Sequence, residues 1–471
     1  MRSAILLAFV ALHGCASAPG YRSSAAALPA AYRETTPAVA PAPPGSYVVS
    51  ADSTAVSSDY WEQLGDTTLS RLIREVPRAN QDVQAARARL SAARSDRVRT
   101  VLDLTPSATI AGSYARQRLS SASFPGFGTF PDQNIWDAGV NASWDLDVFG
   151  QLRHNVQAQG AFVGAAQEQL RDVQVTLSAE LAGAYFELRG AQEQLLVARR
   201  NAENQRHTFD LTRQRLDAGR SSAFDTERAQ AQLSSTLALI PAFEAQVAAA
   251  QNRIGVLVGR SPTEVAGELE QPGPFPTLPD VTTIGKPDDV VRYRPDVAAA
   301  ERLAAAQGAL VGATKASYLP RITIAATAGY AAPDFNGLGT QGTIRYAVGP
   351  VITWPALNLG RVKAEVSAAE AREDAARAQY TRAVLAAIED VETSVARYRS
   401  ARVRVERLQE ASAASERAAE LARLRFSEGM TDFLQVLDAE RTQLEAQDQL
   451  AQGRTDAARA YAALYKAVGG K

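Results

Sequence analysis

The amino-acid sequence predicts a mixed α and β membrane protein formed by an internal tandem duplication. Each repeat is expected to supply one long helical coiled-coil hairpin and two membrane strands. Three observations predict this fold: a heptad repeat of apolar residues, a second copy of that repeat further along the chain, and segments that alternate between apolar and polar residues. One elongated body of two repeats is therefore expected from the 471 residues, rather than two or three globular domains.

The longest predicted element is a helical run from Gln151 to Arg215. Its apolar residues recur every seven positions, which is the pattern of a coiled coil. At about 1.5 Å per residue, roughly 65 helical residues would form a rod of about 100 Å. The two apolar seams of this rod are Leu181, Leu188, Leu195, Ala202, Phe209 and Leu216, and Leu177, Ala184, Ala191 and Ala198.

The same rod occurs twice in the chain. Gly150 recurs as Gly360, and Trp144 recurs as Trp354, each 210 residues later (360 − 150). This tandem duplication predicts two helical hairpins built to one plan. Other matched pairs are Arg215 with Arg425, Gly219 with Gly429 and Gly259 with Gly469, and the second seam is Val391, Tyr398, Val405, Ala419 and Phe426.

Strict alternation from Trp136 to Leu146 predicts a strand with one apolar and one polar face. Trp136 and Trp144 are eight residues apart, about 27 Å along a strand, which suits an outer-membrane apolar band of about 25 Å edged by aromatic girdles. The alternative is a sandwich strand with one wet face. The recurrence of the pattern in the second repeat, ending at Trp354, favours the membrane strand.

Two predicted β-hairpins, over 107–148 and 321–354, give four strands per chain. Four strands cannot close a barrel, and an open edge in lipid leaves unpaired backbone groups that cost several kcal/mol each. We therefore expect the barrel to be shared between chains. It would have eight strands from two chains or twelve from three.

The N-terminus has a charged start, a short apolar run and then Cys15, the only cysteine of the chain. This arrangement resembles a bacterial lipoprotein signal, which predicts a signal peptide over 1–14 and lipidation of Cys15. Ala16 in the next position favours the outer membrane by the same resemblance. The alternative is an ordinary secretory signal that happens to contain a cysteine.

The remaining boundaries follow from composition. A proline-rich, lipid-anchored tether is expected over 15–58, the first repeat over 59–260 with its helical hairpin at 151–258, and an equatorial linker over 261–294. The second repeat is expected over 295–471, with its helical hairpin at 361–467. Two shorter helices, Thr67 to Val76 and Asn80 to Asp103, are predicted to be separated at Pro77.

Composition argues against several functions. A formal net charge of −1 gives no basic footprint for nucleic acid. Three His and two Met make a metal relay improbable, and no nucleotide-binding, metalloprotease or nucleophile-elbow motif is present. We therefore expect no enzyme activity, no cofactor, no metal and no nucleic-acid partner.

Five short motifs follow one another along the chain: Trp61-Glu62-Gln63-Leu64-Gly65-Asp66, Arg292-Tyr293-Arg294-Pro295-Asp296-Val297, Tyr318-Leu319-Pro320, Trp354-Pro355 and Gly360-Arg361. In this order they resemble the outer-membrane efflux factors, the TolC-like and OprM-like channel proteins. The resemblance extends from about Trp61 to Gly469 and is to the lipoprotein branch that serves resistance-nodulation-division pumps.

The resemblance implies a homotrimer with a twelve-stranded barrel among the lipids of the outer membrane of a Gram-negative bacterium, and a helical tunnel across the periplasm. Such a duct is passive, and it works with a periplasmic adaptor protein and an inner-membrane transporter. The cargo implied is small toxic compounds such as drugs, dyes and detergents. Rival interpretations are a protein-secretion or metal-efflux duct of the same fold, and a non-conducting envelope scaffold.

The two rod tips have matched sequences, with Arg215 and Gly219 in the first and Arg425 and Gly429 in the second. A glycine suits the left-handed residue that ends a helix, and Ser222 has capping-box spacing for the return helix. A turn alone explains the glycines and the cap. The arginine present in both tips is what the family uses near its adaptor contact, so the resemblance implies adaptor docking by these four residues.

Leu434, Asp438 and Arg441 are spaced four and three residues apart and so share one helical face. From the sequence alone, a buried leucine beside a solvated ion pair is the more common explanation. The resemblance instead implies the periplasmic gate of the family, with Asp438 facing the threefold axis and Arg441 or Arg228 helping to hold the closed state.

Overall fold

A computed structural model describes residues 46–49, 59–120, 122, 131–284 and 287–470. The predicted signal peptide and Cys15 lie outside these residues. The described chain is mostly helical and has one four-stranded and one two-stranded sheet. Its contacts divide it into two compact units, and each unit takes segments from both repeats. The division into repeats made from the sequence stays a prediction.

The elements follow one another in the order expected of a duplication. The first strand, β1 (Ser46–Val49), lies in the predicted tether. The predicted first repeat holds α1 (Asp59–Glu62), α2 (Thr67–Ala79), α3 (Gln81–Leu102), β2 (Ser107–Gln117), β3 (Gln133–Asp145), α4 (Gln151–Asp217) and α5 (Ala223–Val258). The linker holds α6 (Pro262–Glu268), β4 (Asp280–Ile284) and α7 (Pro287–Tyr293). The second repeat holds α8 (Pro295–Ala316), β5 (Arg321–Ala332), a 3-10 turn (Phe335–Gly337), β6 (Ile344–Thr353), α9 (Leu359–Ser427) and α10 (Phe433–Ala467).

The first unit contains the four-stranded sheet, in the order β2-β3-β5-β6 with all neighbours antiparallel. Its register places Val140 opposite Ile110 on one side and Ala328 on the other. Within the described residues, β2 and β6 each pair with one neighbour only, so both outer edges of the sheet are open. The predicted alternation therefore produced strands, as expected.

The two faces of this sheet differ in chemistry, because opposed residues of paired strands share a face. One face collects aliphatic and aromatic side chains that are exposed in the single chain, with Ile110 at 88% and Tyr346 at 81%. The other face carries Asp137, Asn141, Ser143 and small residues of β5 and β6. We call these the apolar face and the polar face.

The second unit is formed mainly by long helices, and the predicted seams are its contact surfaces. Leu181 and Leu188 of α4 are fully buried, and Val391 and Tyr398 take the corresponding places in α9. The other seam of α4 is buried throughout, at Leu177, Ala184, Ala191 and Ala198. The prediction of two long helices with a heptad seam is confirmed.

An aromatic cluster lies in the core of this unit. Tyr60 and Trp61 of α1 are buried against Tyr461 and Tyr465 of α10, with ring centroids 4.6 Å apart for Tyr60 and Tyr461. The Tyr60 hydroxyl also donates to the carbonyl oxygen of Tyr461. Burying such large side chains contributes about 1.5–3 kcal/mol each, so the Trp61 motif at the start of the described chain fixes α1 to the last helix.

The predicted break between the two N-terminal helices was wrong by three residues. Pro77 lies inside the last turn of α2, and the break comes at Asn80. A proline near a helix end removes only one late hydrogen bond, whereas Asn80 actively starts α3 because its Oδ1 accepts from the backbone N–H of Asp82 at 2.8 Å. Its Nδ2 donates to the carbonyl oxygen of Leu257, which ties this break to the end of α5.

The linker is more ordered than its Pro and Gly content suggested. It contains two short helices and β4, which pairs in parallel with β1. β1 belongs to the predicted tether, so four residues of that tether form a strand. Arg294, at the end of the linker, donates to Ala467 O near the chain end and forms ion pairs with Asp296 and Asp390.

One helix in the described part of the chain, α5, is long and apolar enough by composition to cross a membrane. Few residues in the most apolar 18-residue stretch of this helix are buried within the chain. Its apolar side chains are nine alanines and eleven larger Leu, Ile, Val and Phe residues.

Candidate gate, helix tips and membrane face

The first helix tip has the geometry predicted for it. Gly219 adopts φ of 68°, and the Arg220 N–H donates to Arg215 O at 2.7 Å, which is a Schellman ending. Ser222 then begins α5 with a full capping box, since its hydroxyl accepts from the Asp225 N–H and the Asp225 carboxylate accepts from the Ser222 N–H. One helix therefore ends and the next begins within five residues.

The second tip repeats the turn and differs in its cap. Gly429 adopts φ of 76°, and the Met430 N–H donates to Arg425 O at 2.8 Å. Asp432 begins α10 by accepting from the Gln435 N–H, but the Gln435 side chain accepts from the Thr431 hydroxyl instead of completing a box. The two tips thus share a backbone turn and differ in side-chain chemistry.

The two tip arginines have different surroundings. Arg215 is half-buried: its Nη2 lies 2.6 Å from Phe426 O and 2.9 Å from Ser427 O, and its guanidinium carbon lies 4.2 Å from the centre of the Phe426 ring. Arg425 is exposed, and its side chain makes no hydrogen bond or ion pair with any described residue. Of these two arginines, Arg425 alone can contact a partner without breaking a contact within the chain.

The three candidate gate residues lie together on the exposed face of α10. Leu434 is 46% exposed, and Arg441 Nη2 lies 3.2 Å from Asp438 Oδ1. Glu445, one turn further on, lies 4.0 Å from Arg441. The interpretation of Leu434 as a buried leucine is therefore wrong for the single chain, which presents an apolar residue and an ion pair to its surroundings.

The corresponding positions of the first repeat carry no carboxylate. Phe224 takes the place of Leu434 and is 65% exposed. Arg228 takes the place of Asp438, and its guanidinium lies 5.2 Å from the centre of the Phe224 ring. The acidic residue of this face thus belongs to the second hairpin alone, as the sequence indicated.

A buried carboxylate that was not expected from the sequence lies beside the candidate gate. Glu440 is 3% exposed; its Oε1 accepts from the Thr208 hydroxyl of α4 at 2.8 Å and lies 3.4 Å from Arg423 Nη1 of α9. Burial is the main reason why the pKa of Glu440 lies above its usual value, although Thr208 and Arg423 oppose this. The buried face of α10 includes Phe433, Val436, Glu440 and Gln443. The sequence therefore offered one indication of this site, namely an acidic residue at a position where the helical repeat places buried side chains.

The predicted girdle tryptophans lie on the apolar face of the sheet. Trp144 and Trp354 are exposed, and each indole N–H donates to a backbone carbonyl, of Leu104 at 2.9 Å and of Tyr318 at 3.0 Å. Both carbonyls come just before a strand. An exposed ring with a satisfied indole N–H is the arrangement found where one end of the side chain is apolar and the other is wet.

The third tryptophan marks the other end of the same face. Trp136 packs against Tyr114, with ring centroids 4.6 Å apart, and against Phe335 at 5.2 Å. Aromatic side chains thus stand near both ends of the apolar face, with aliphatic ones between them. Such a band is the pattern of strands that face lipid.

A sheet with a lipid-type face and two long helical hairpins defines the class of outer-membrane channel proteins. The family model described as "Outer membrane efflux protein" matches residues 72–260 and 287–470, and the chain belongs to this family. It is accordingly an outer-membrane protein of the kind found in Gram-negative bacteria, as the sequence predicted.

Individual relatives agree with this family. The chain is 27% identical to nodulation protein T of Rhizobium leguminosarum bv. trifolii, over 97% of this chain and 95% of the relative. It is 28% identical to the probable efflux pump outer membrane protein TtgC of Pseudomonas putida, over 99% and 95%. The solved outer-membrane channel OprN aligns with a TM-score of 0.87 at 35% identity, over 97% of this chain and 99% of that one.

Proposed function

We propose that this protein is the outer-membrane exit duct of a three-part efflux pump, which passively conducts small toxic compounds to the exterior. The observation that carries the proposal is the sheet with one apolar face and two open edges. Open edges in lipid cost several kcal/mol per unpaired group. Three copies joined edge to edge through β2 and β6 would close a barrel of twelve strands and remove them.

The helices support the same assembly. Most residues in the apolar stretch of α5 are not buried within one chain, and Leu434 and Phe224 are exposed near the tips. Monomeric proteins rarely leave such apolar surface to water. Neighbouring protomers in a trimer would cover it, and they would bring three copies of Leu434, Asp438 and Arg441 around one axis as a closed periplasmic gate.

The tips are the proposed docking site for a periplasmic adaptor, which would link the duct to an inner-membrane transporter of the resistance-nodulation-division type. Gly219 and Gly429 provide two turns of equal geometry, and Arg425 provides an exposed cation. Arg215 would act by holding the second tip in shape through its contacts with Phe426 and Ser427. Lipidation of Cys15 would add an anchor in the outer membrane.

The cargo class rests on the named relatives. One is described as an antibiotic efflux pump outer membrane protein and another as a toluene efflux pump outer membrane protein, both from Pseudomonas putida. A duct contacts its cargo loosely, so selection is expected to occur in the transporter. The identity of the adaptor therefore decides the cargo class.

Cross-linking in living cells tests the proposal. A photoreactive amino acid placed at Asp217 or Glu428, both exposed at the tips, should trap a periplasmic adaptor. The same amino acid at Glu406, exposed on α9 away from the tip, is the matched control and should trap much less. Capture of only the protein itself, with correct outer-membrane insertion, would contradict the duct and favour a non-conducting scaffold.

A further inference from the structure

The polar face of the sheet carries an ion pair that bridges two strands which are not neighbours. Arg345 of β6 donates from Nε and Nη2 to the two carboxylate oxygens of Asp137 of β3, both at 2.5 Å. Strand β5 lies between them. A bidentate arginine–carboxylate pair is among the strongest and most directional polar contacts in proteins.

Glycine makes this bridge possible. Gly329 of β5 stands opposite both Arg345 and Gly139, so no side chain separates β6 from β3 at this level. The strands are also close here, because a Cβ on Gly139 would lie 2.7 Å from Ala328 O. Next-neighbour strands are about 10 Å apart, a span that the long Arg345 side chain crosses over bare backbone.

The rest of the polar face is nearly featureless. Between this pair and the opposite end of β3, the positions on the three strands hold only small or neutral side chains: Gly139, Asn141 and Ser143 on β3, Ala325 and Thr327 on β5, and Ala347, Gly349 and Val351 on β6. At that opposite end, Asp145 accepts from Thr323 and lies 3.7 Å from Arg321. Asp137 and Arg345 are thus the only two charged residues near the hairpin-loop end of the polar face, within the described residues.

We infer that Asp137 and Arg345 form, in three copies, a charge-balanced ring at the outer end of the duct and set the ion selectivity of its exit. The inference rests on the proposed function, because the polar face lines a lumen only in the closed barrel. Arg345 and Asp137 remain partly exposed, at 37% and 26% of their side chains, so permeating ions can sense them. Their charges cancel in the native ring.

Removing either charge unbalances the ring in a predictable direction. Asp137→Asn leaves three guanidinium groups and should lower the cation-to-anion permeability ratio, whereas Arg345→Gln leaves three carboxylates and should raise it. A lumen wall of one sign concentrates counter-ions, so we expect a change of about threefold or more relative to the native protein. The change should shrink at high salt, since the Debye length falls from about 10 Å at 0.1 M to about 3 Å at 1 M.

Reversal potentials in planar bilayers under a salt gradient measure this ratio. Arg116→Gln is the matched control, because Arg116 lies at the same end of the sheet on the apolar face and should not affect the ratio. The exchanged variant D137R/R345D restores balance and should return the native ratio. Trimer formation on gels shows that each variant has folded.

The outcomes separate the two proposals. Opposite shifts in the single variants, with recovery in the exchanged variant, support the ring. Channel current with an unchanged ratio in both single variants overturns the ring and leaves the duct intact. Absence of current from the correctly inserted protein, both in the native form and in the Asp438→Ala variant of the proposed gate, overturns the duct and the ring together.

Discussion

Arg215 caps the end of a helix in the other repeat: its guanidinium bonds Phe426 O and Ser427 O, the last carbonyl groups of α9, and lies over the Phe426 ring. The carbonyl end of a helix carries partial negative charge and lacks internal donors, so a cation there is stabilising. The first helix tip thereby supports the second. This contact makes the two tip arginines unequal and leads to the first prediction.

Arg215→Ala should loosen the second tip, and Arg425→Ala should not. Loss of charged hydrogen bonds and of the cap costs about 1–3 kcal/mol, so amide hydrogens near Phe426 should exchange at least about fivefold faster. Hydrogen exchange detected by mass spectrometry checks this. Arg425→Ala is the matched control: it should keep native exchange and lose adaptor cross-linking from Glu428. Equal exchange in both variants would contradict the structural role of Arg215.

Asp438→Ala should raise the single-channel conductance of the reconstituted protein. The substitution removes a carboxylate from the proposed ring and leaves Arg441 without its 3.2 Å partner. Glu445→Ala is the control, because Glu445 shares the exposed face and lies one turn further from the tip. A native current from Asp438→Ala would argue strongly against a gate at this position.

Glu440 should make the tip region more stable as the solution becomes more acidic. Its folded pKa is raised, so the folded state binds the proton more tightly than the unfolded state does. Stability from this group therefore increases as pH falls from above the folded pKa toward the ordinary value of 4.5, and is lost as pH rises through the folded pKa.

Glu440→Gln tests this pH dependence. Glutamine keeps an acceptor for Thr208 but cannot titrate, so the pH dependence of exchange at residues 436–443, corrected for intrinsic rates, should flatten. Glu440→Ala should destabilise the tip at all pH values, by about 1–3 kcal/mol, because it removes the buried acceptor shared by Thr208 and Arg423 and leaves a cavity. An unaltered pH dependence in Glu440→Gln would assign the effect to another group.

Gly183 and Gly190 of α4 should respond oppositely to alanine. A Cβ on Gly190 would overlap Thr455 Oγ1 of α10, whereas a Cβ on Gly183 has no described heavy atom outside its own helix within 4 Å. Gly183→Ala should stabilise by up to about 1 kcal/mol through helix propensity, and Gly190→Ala should destabilise by about 1–3 kcal/mol through overpacking.

Thermal unfolding of the purified protein checks the glycine prediction. The double variant G190A/T455A removes the obstructing hydroxyl and should recover most of the loss. If the Gly190→Ala variant is as stable as the native protein, α4 does not pack on α10 as closely as described.

Periodic features were predictable, and contacts between distant segments were not. The seams with Leu181 and Val391, the strand with Trp136 and Trp144, and the tip glycines all follow local spacing that a sequence displays directly. Strand β1 was missed because a strand of four residues depends on its partner β4, more than 200 residues away.

The candidate site shows the same limit. Leu434, Asp438 and Arg441 were placed on one face from their spacing, and the structure brings them together. The contacts of Glu440 and Arg215 were not predicted, because their partners lie on other helices. Glu440 contacts Thr208 and Arg423, and Arg215 contacts the end of α9. Buried charge is decided by tertiary neighbours, and a local pattern contains only a hint of it.

The two tips keep one backbone turn and present different side chains. In a trimer, six turns of equal geometry would alternate between two chemical surfaces around the axis. A partner that recognises the turn alone would meet six equivalent places, and one that recognises Arg425 would meet three. Duplication followed by divergence thus allows a ring of sixfold shape and threefold chemistry, which can seat partners in either number.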